Sequence, residues 1–104
     1  MDTDYCVVLV TGQKKDGERI QEALVEERLA ACVNSVSVSS VFSWKNRIER
    51  QNEVLLVIKT RKSLLDQVIS RVKALHSYDV PEVVALPIIK GNKDYLKWLD
   101  EVTE

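Results

Sequence analysis

A chain of 104 residues that is 45% hydrophobic and 30% charged, with a formal net charge of −1, has the make-up of one soluble globular domain, residues 1–104. Its Lys and Arg residues are interleaved with Asp and Glu, so no long-range field gathers a phosphate backbone and nucleic acid is excluded as a partner. No apolar run approaches the roughly 18 residues of a membrane span, and MDTDY at the start lacks a signal-peptide pattern, so a cytoplasmic protein with no membrane partner is expected.

Tyr5 to Thr11 (YCVVLVT) is a short, β-branched apolar run that fits a buried strand, and Gly12 ends it. After a polar loop, Asp16 is placed to cap a helix whose core face carries Ile20, Ala23, Leu24 and Ala31, with Glu18 near the positive end of the dipole. Val25 and Leu29 form a second stripe that this face does not explain.

The chain is organised around Ala30 to Thr60, two long strand-like runs joined by a short polar turn. Even positions carry Val36, Val38, Phe42 and Trp44 while Ser35, Ser37, Ser39 and Ser43 fill odd ones, giving a two-faced strand with Val41 as the exception. Val54 to Ile58 is apolar at both parities, which predicts a central strand covered on both faces. Asn46 accepts the positive φ that a tight hairpin turn often demands, and the turn type stays open. A strand of about 13 residues spans about 40 Å, twice the usual length, so the hairpin overhangs so small a domain. An overhang carrying Phe42 and Trp44 calls for another chain to cover it.

Ser63 and Asp66 suggest a capping box, and Leu65, Val68, Ile69, Val72 and Leu75 follow at helical spacing. Pro81 forbids the helix beyond Val80, with His76 at its carboxyl end. Glu82 to Ile89 is a strand whose Pro87 belongs at a sheet edge or strand end. Gly91 and Asn92 open a last helix with Tyr95, Leu96, Leu99 and Val102 on one face. Right-handed crossovers then give an α+β, ferredoxin-like βαββαβ sandwich with antiparallel sheet order 4-1-3-2, a long central hairpin and an added C-terminal helix. In that topology a strand separates Cys6 from Cys32, so at about 9.6 Å both are expected as free thiols.

LVEERLAACVN at Leu24 to Asn34, FSWKNRIE across the turn, LLVIKT at Leu55 to Thr60, HSYDVPEVVALPI at His76 to Ile88 and YLKWL at Tyr95 to Leu99 together resemble the CutA divalent-cation tolerance family. The resemblance runs from about Tyr5 to about Leu99 and implies a compact homotrimer whose hairpins engage neighbouring subunits, arranged like the PII signalling proteins. It also implies copper or other divalent cations as ligands, with Cys32 and His76 as the matching metal residues and no cofactor required. A further cysteine proposed in the family's first strand corresponds to about Val10 here, so one suggested ligand is absent, and Asn46 stands where the family usually has Gly.

Taken by their chemistry alone, Cys32 suits a soft metal such as Cu(I), or is a buried small apolar residue. His76 is a neutral ligand, or an imidazolium stabilising a helix carboxyl end. One Cys and one His do not close a tetrahedral site without ligands from other subunits. Trp44, Tyr78, Tyr95 and Trp98 read as core or interface aromatics, whereas Glu53, Lys59, Tyr78 and Glu82 flank strands where a subunit cleft for a small anion or metabolite would lie. There is no Gly-rich phosphate loop, nucleophile elbow or metalloprotease His-Glu pair, so catalysis is not expected. Three readings follow: a metal-responsive trimer, a trimeric signalling or scaffold module, and a thiol enzyme using Cys32 with His76.

Overall fold

A computed structural model describes residues 4–103. The strands are β1 (Tyr5–Gly12), β2 (Cys32–Trp44), β3 (Arg47–Arg61) and β4 (Val83–Pro87), and the helices α1 (Lys14–Glu26), α2 (Leu65–Leu75) and α3 (Lys93–Val102). All pairs are antiparallel and the order is β2-β3-β1-β4, the topology the crossover argument predicts. Pro87 ends the edge strand β4, where its missing N–H costs no ladder bond.

Alternation along β1 and β3 sends Cys6, Val8, Val10, Val54, Leu56 and Ile58 to one face, where they meet Ile20 and Leu24 of α1 and Val68 and Val72 of α2. Each such side chain contributes about 1.5–3 kcal/mol when fully withdrawn from water, and this layer is the core. Thr60, also in this layer, is fully buried and donates its hydroxyl to the Leu29 carbonyl at 2.6 Å.

Three local expectations need correction. Asp16 does not cap α1: extended Gln13 precedes the helix, and Asp16 lies in its first turn pointing inward, 3% exposed. The helix also stops at Glu26, so Ala31 belongs to the following loop. Arg28 takes a left-handed φ of 61°, Arg28 N–H bonds Val25 and Leu29 N–H bonds Leu24, a Schellman closure that folds Leu29 back onto Leu24. That closure accounts for Leu29 of the second stripe, whereas Val25 stays 45% exposed. Finally, Ser63 falls within a 3-10 turn, Lys62–Leu64, and α2 starts after Leu64 with no side-chain cap. Asn92 does cap α3, accepting from the Asp94 N–H at 2.9 Å.

The opposite face of the sheet carries Val7, Leu9, Val36, Leu55, Val57, Val84 and Leu86 in register. α3 covers only the end where Tyr5 and Arg61 bond Asp100 and Thr103. Val36, Val84 and Leu86 stay 51%, 49% and 52% exposed. The two-sided cover expected for the central strand is therefore supplied by the chain on one face and is incomplete on the other.

β1 ends opposite Val54, so Arg47–Glu53 pairs with Val38–Trp44 alone. That two-stranded ribbon projects roughly 20 Å past the sheet and makes the molecule 44 Å long against 27 and 22 Å in the other directions. Its turn is tight: Lys45 and Asn46 both take positive φ, 50° and 64°, the pattern of a type I′ hairpin.

Candidate functional site

At the end of β1 from which the ribbon projects, polar side chains converge. His76 follows α2 with its side chain fully buried. Its Nε2 lies 2.8 Å from the Thr11 carbonyl and its Nδ1 accepts the Tyr78 N–H at 3.1 Å, which assigns the neutral tautomer with Nε2 as donor. Gly12 leaves room for the ring, since a Cβ there would come within 2.7 Å of Nε2.

Asp16 lies behind this ring, 3.7 Å from Nδ1. Its Oδ2 accepts both the Ser77 N–H and the Ser77 hydroxyl, and its Oδ1 accepts from Arg19 at 2.7 Å. Burial pushes its pKa up, but the hydrogen bonds it accepts from Ser77 and Arg19 hold it below the usual carboxylate value. Sequence reasoning places Asp16 at the helix start and misses its inward role. Ser77, an unremarkable loop residue, carries no local signal.

On the other side of the loop the Tyr78 hydroxyl donates to Glu53 Oε2 at 2.6 Å. Burial first, and then the Glu53 carboxylate, raise the Tyr78 hydroxyl far above an ordinary phenol. Glu82 accepts from the Thr11 hydroxyl at 3.1 Å. Glu53, Tyr78, Glu82 and Thr11 line a cleft of about 440 Å³ against Phe42 of the ribbon, and Trp44 lines an adjoining groove of about 400 Å³ with Glu49 and Asp79.

Four of the five residues expected at a cleft thus meet at one end of the sheet. Lys59 does not. It stands opposite Cys32, its ammonium bonding Asn34 Oδ1. With its one expected cation elsewhere, the cleft is acidic and repels the small anion that the sequence suggested.

Cys32 also lies at that far end. It is half-buried, 3.8 Å from Asn34 Oδ1 and beside the Tyr95 hydroxyl, which burial and then the Cys32 sulfur push upward. Tyr95 packs at a 45° tilt against Trp98 with ring centroids 5.5 Å apart. Cys32 is level with Lys59, whereas His76 touches Thr11, level with Leu55. Four residues of strand, about 13 Å, separate them along the sheet, so they form no dyad within one chain. Among the described residues no group of three or more His, Cys, Asp or Glu side chains converges to hold a metal. Cys6 is a core residue, its thiol pushed up by burial.

The four-stranded antiparallel sheet in the order β2-β3-β1-β4, with its overlong hairpin and added C-terminal helix, defines an α+β protein of the ferredoxin-like class. The model of the CutA1 divalent ion tolerance protein family matches residues 5–102, and the chain belongs to that family.

A divalent-cation tolerance protein CutA of Thermus thermophilus is 50% identical over 99 residues, covering 93% of this chain and 96% of that protein. The chloroplastic protein CutA 1 of Oryza sativa is also 50% identical, but the chain spans only 56% of its length. The crystal structure of CutA1 from Oryza sativa superposes with a TM-score of 0.93 at 48% identity, covering 98% of this chain and 95% of that one. The Archaeoglobus fulgidus structure, described as a periplasmic divalent cation tolerance protein, gives 0.93 at 39% identity over 96% and 99% of the two chains.

Proposed function

We propose that this chain serves divalent-cation tolerance as a homotrimer that binds metal weakly and catalyses no reaction. The observation that carries the assembly is the unfinished sheet: an apolar face with Val36, Val84 and Leu86 about half exposed, beside a projecting two-stranded ribbon. Burying that face between copies completes the cover the central strands need. Light scattering is expected to give a mass near three times the 11.9 kDa of the chain, and the melting temperature is expected to rise with protein concentration. A monomer at all concentrations would overturn the reading.

The metal role rests on the family and on Cys32. Both His76 nitrogens are engaged inside the fold, so the half-buried thiol is the donor open to a soft ion, completed by water or a neighbouring subunit. Modest copper binding is expected under reducing conditions, lowered by Cys32→Ser and little changed by a folded His76→Ala. Titration calorimetry with the N-terminal amine blocked checks this, and equal binding by the Cys32→Ser, His76→Ala double mutant would remove the site. A signalling role requires a cationic occupant for the cleft, because Glu53 and Glu82 face it.

No described helix is long and apolar enough to cross a membrane. Cytoplasmic residence is part of the proposal; the two unpaired thiols Cys6 and Cys32 suit a reducing compartment.

A further inference from the structure

α3 is fastened to the rest of the chain at its carboxyl end. Arg28 donates from Nε to the Val102 carbonyl at 3.3 Å and from Nη2 to the Glu101 carbonyl at 3.2 Å. Arg61 donates from Nε to the Thr103 hydroxyl at 2.9 Å and from Nη2 to the Thr103 carbonyl at 3.1 Å, and the Tyr5 hydroxyl donates to Asp100 at 2.6 Å. Two guanidinium groups on the last carbonyls of a helix also meet the negative end of its dipole. Apolar anchoring is thin by comparison: Leu96 and Leu99 are the buried residues of α3, while Tyr95 and Trp98 stay 38% and 40% exposed.

The other end of the helix is loosely joined. Residues 89–92, between β4 and α3, are exposed and lie in no strand or helix. A helix with few buried apolar side chains and an exposed joint belongs to the parts of a fold that open before the core does. Tyr95, in the first turn after that joint, places its hydroxyl beside the Cys32 sulfur. A swing of α3 about the joint carries the phenol off the thiol.

We infer that α3 is a gate on Cys32, with Tyr95 as the cover of the thiol and Arg28 and Arg61 as the latch that holds the gate shut. The inference rests on Cys32 as the metal donor proposed above and adds what controls access to it. Val102 lies seven positions beyond Tyr95, about 10 Å of helix, so the latch acts on the cover from a distance.

The test loosens the latch with Arg28→Asn and Arg61→Gln in one chain. Asparagine tolerates the left-handed φ of 61° at position 28, and glutamine keeps a long polar side chain on β3. N-ethylmaleimide at limiting concentration, followed by peptide mass spectrometry, gives the alkylation rate of Cys32, and hydrogen exchange on the same samples gives the opening of α3. Both are expected to rise about tenfold, the scale of a lost charge-assisted hydrogen bond. Cys6, 4% exposed in the core, is expected to stay unlabelled and so to exclude global unfolding. With the latch intact, Tyr95→Ala is expected to speed alkylation of Cys32, and Tyr95→Phe, which keeps the ring, much less.

Unchanged exchange of α3 in the loosened chain, or faster exchange without faster alkylation, would overturn the inference. Labelling of Cys6 in step with Cys32, or a wild-type Cys32 that reacts as fast as in urea-unfolded chain, would overturn it as well. Latch-dependent alkylation in a protein that binds no copper would keep the gate and remove the metal reading.

Discussion

Val84→Lys is expected to take the assembly apart while leaving the chain folded. Val84 pairs with Leu9 on the face turned away from the core and is 49% exposed in the single chain, so a lysine there keeps its charge in water when the subunit stands alone. Between copies the same ammonium is buried among Val36, Leu55 and Val57, and an unpaired buried charge costs several kcal/mol. Symmetry repeats that cost in every copy. Light scattering is expected to fall from near three chain masses to one, with the far-ultraviolet dichroism of the wild type. Val84→Ala removes apolar area without adding charge and is expected to weaken assembly far less. An intact trimer of Val84→Lys would show that this face is not the interface.

Asp16→Ala is expected to be among the most destabilising single changes outside the apolar core. It strips the Ser77 N–H and hydroxyl of their acceptor and leaves the Arg19 guanidinium without its carboxylate. Hydrogen bonds to a charged group contribute about 1.5–3 kcal/mol each and overlap when they share one acceptor, so a loss of about 3 kcal/mol is expected. Thermal or urea unfolding at fixed protein concentration measures it.

The pH dependence has a definite sign. The folded pKa of Asp16 lies below its ordinary value, so its contribution is complete above about pH 4 and is lost as pH falls through the lower folded value. Wild type is therefore expected to lose more stability than Asp16→Asn between about pH 4 and about pH 2. Parallel curves would remove the assigned role of the carboxylate.

The fold was legible where alternation and punctuation agreed. Cys32–Trp44 has the bounds its Val and Ser alternation predicts, and Pro87 and Asn92 sit at the strand end and helix cap their chemistry requires. Legibility failed where a polar side chain had two local uses. An Asp near a helix start reads as a cap, but the loop holding Ser77, 61 residues further on, turns Asp16 inward. Cys32 and His76, the donors suggested by type, stand at opposite ends of the sheet within one chain. Glu53, Tyr78 and Glu82, each flanking a strand end, line one cleft of the chain, whereas Lys59, chosen on the same ground, belongs to the other end of β3.

The overhanging ribbon also governs how the protein reaches its final state. β1 must wait for β3, more than 40 positions on, and then for β4, and such distant pairings close slowly because chain entropy is lost before contacts form. Throughout that wait, and afterwards in each lone subunit, the outer edge of β2 offers a row of unbonded amides and carbonyls beside an apolar surface. For the trimer proposed above, capture by sister chains and non-specific clumping then compete for one species, the first bounded by geometry and the second growing with every copy added. Refolding yield is thus set by a race between two concentration-dependent steps, and the maximum lies at an intermediate protein concentration.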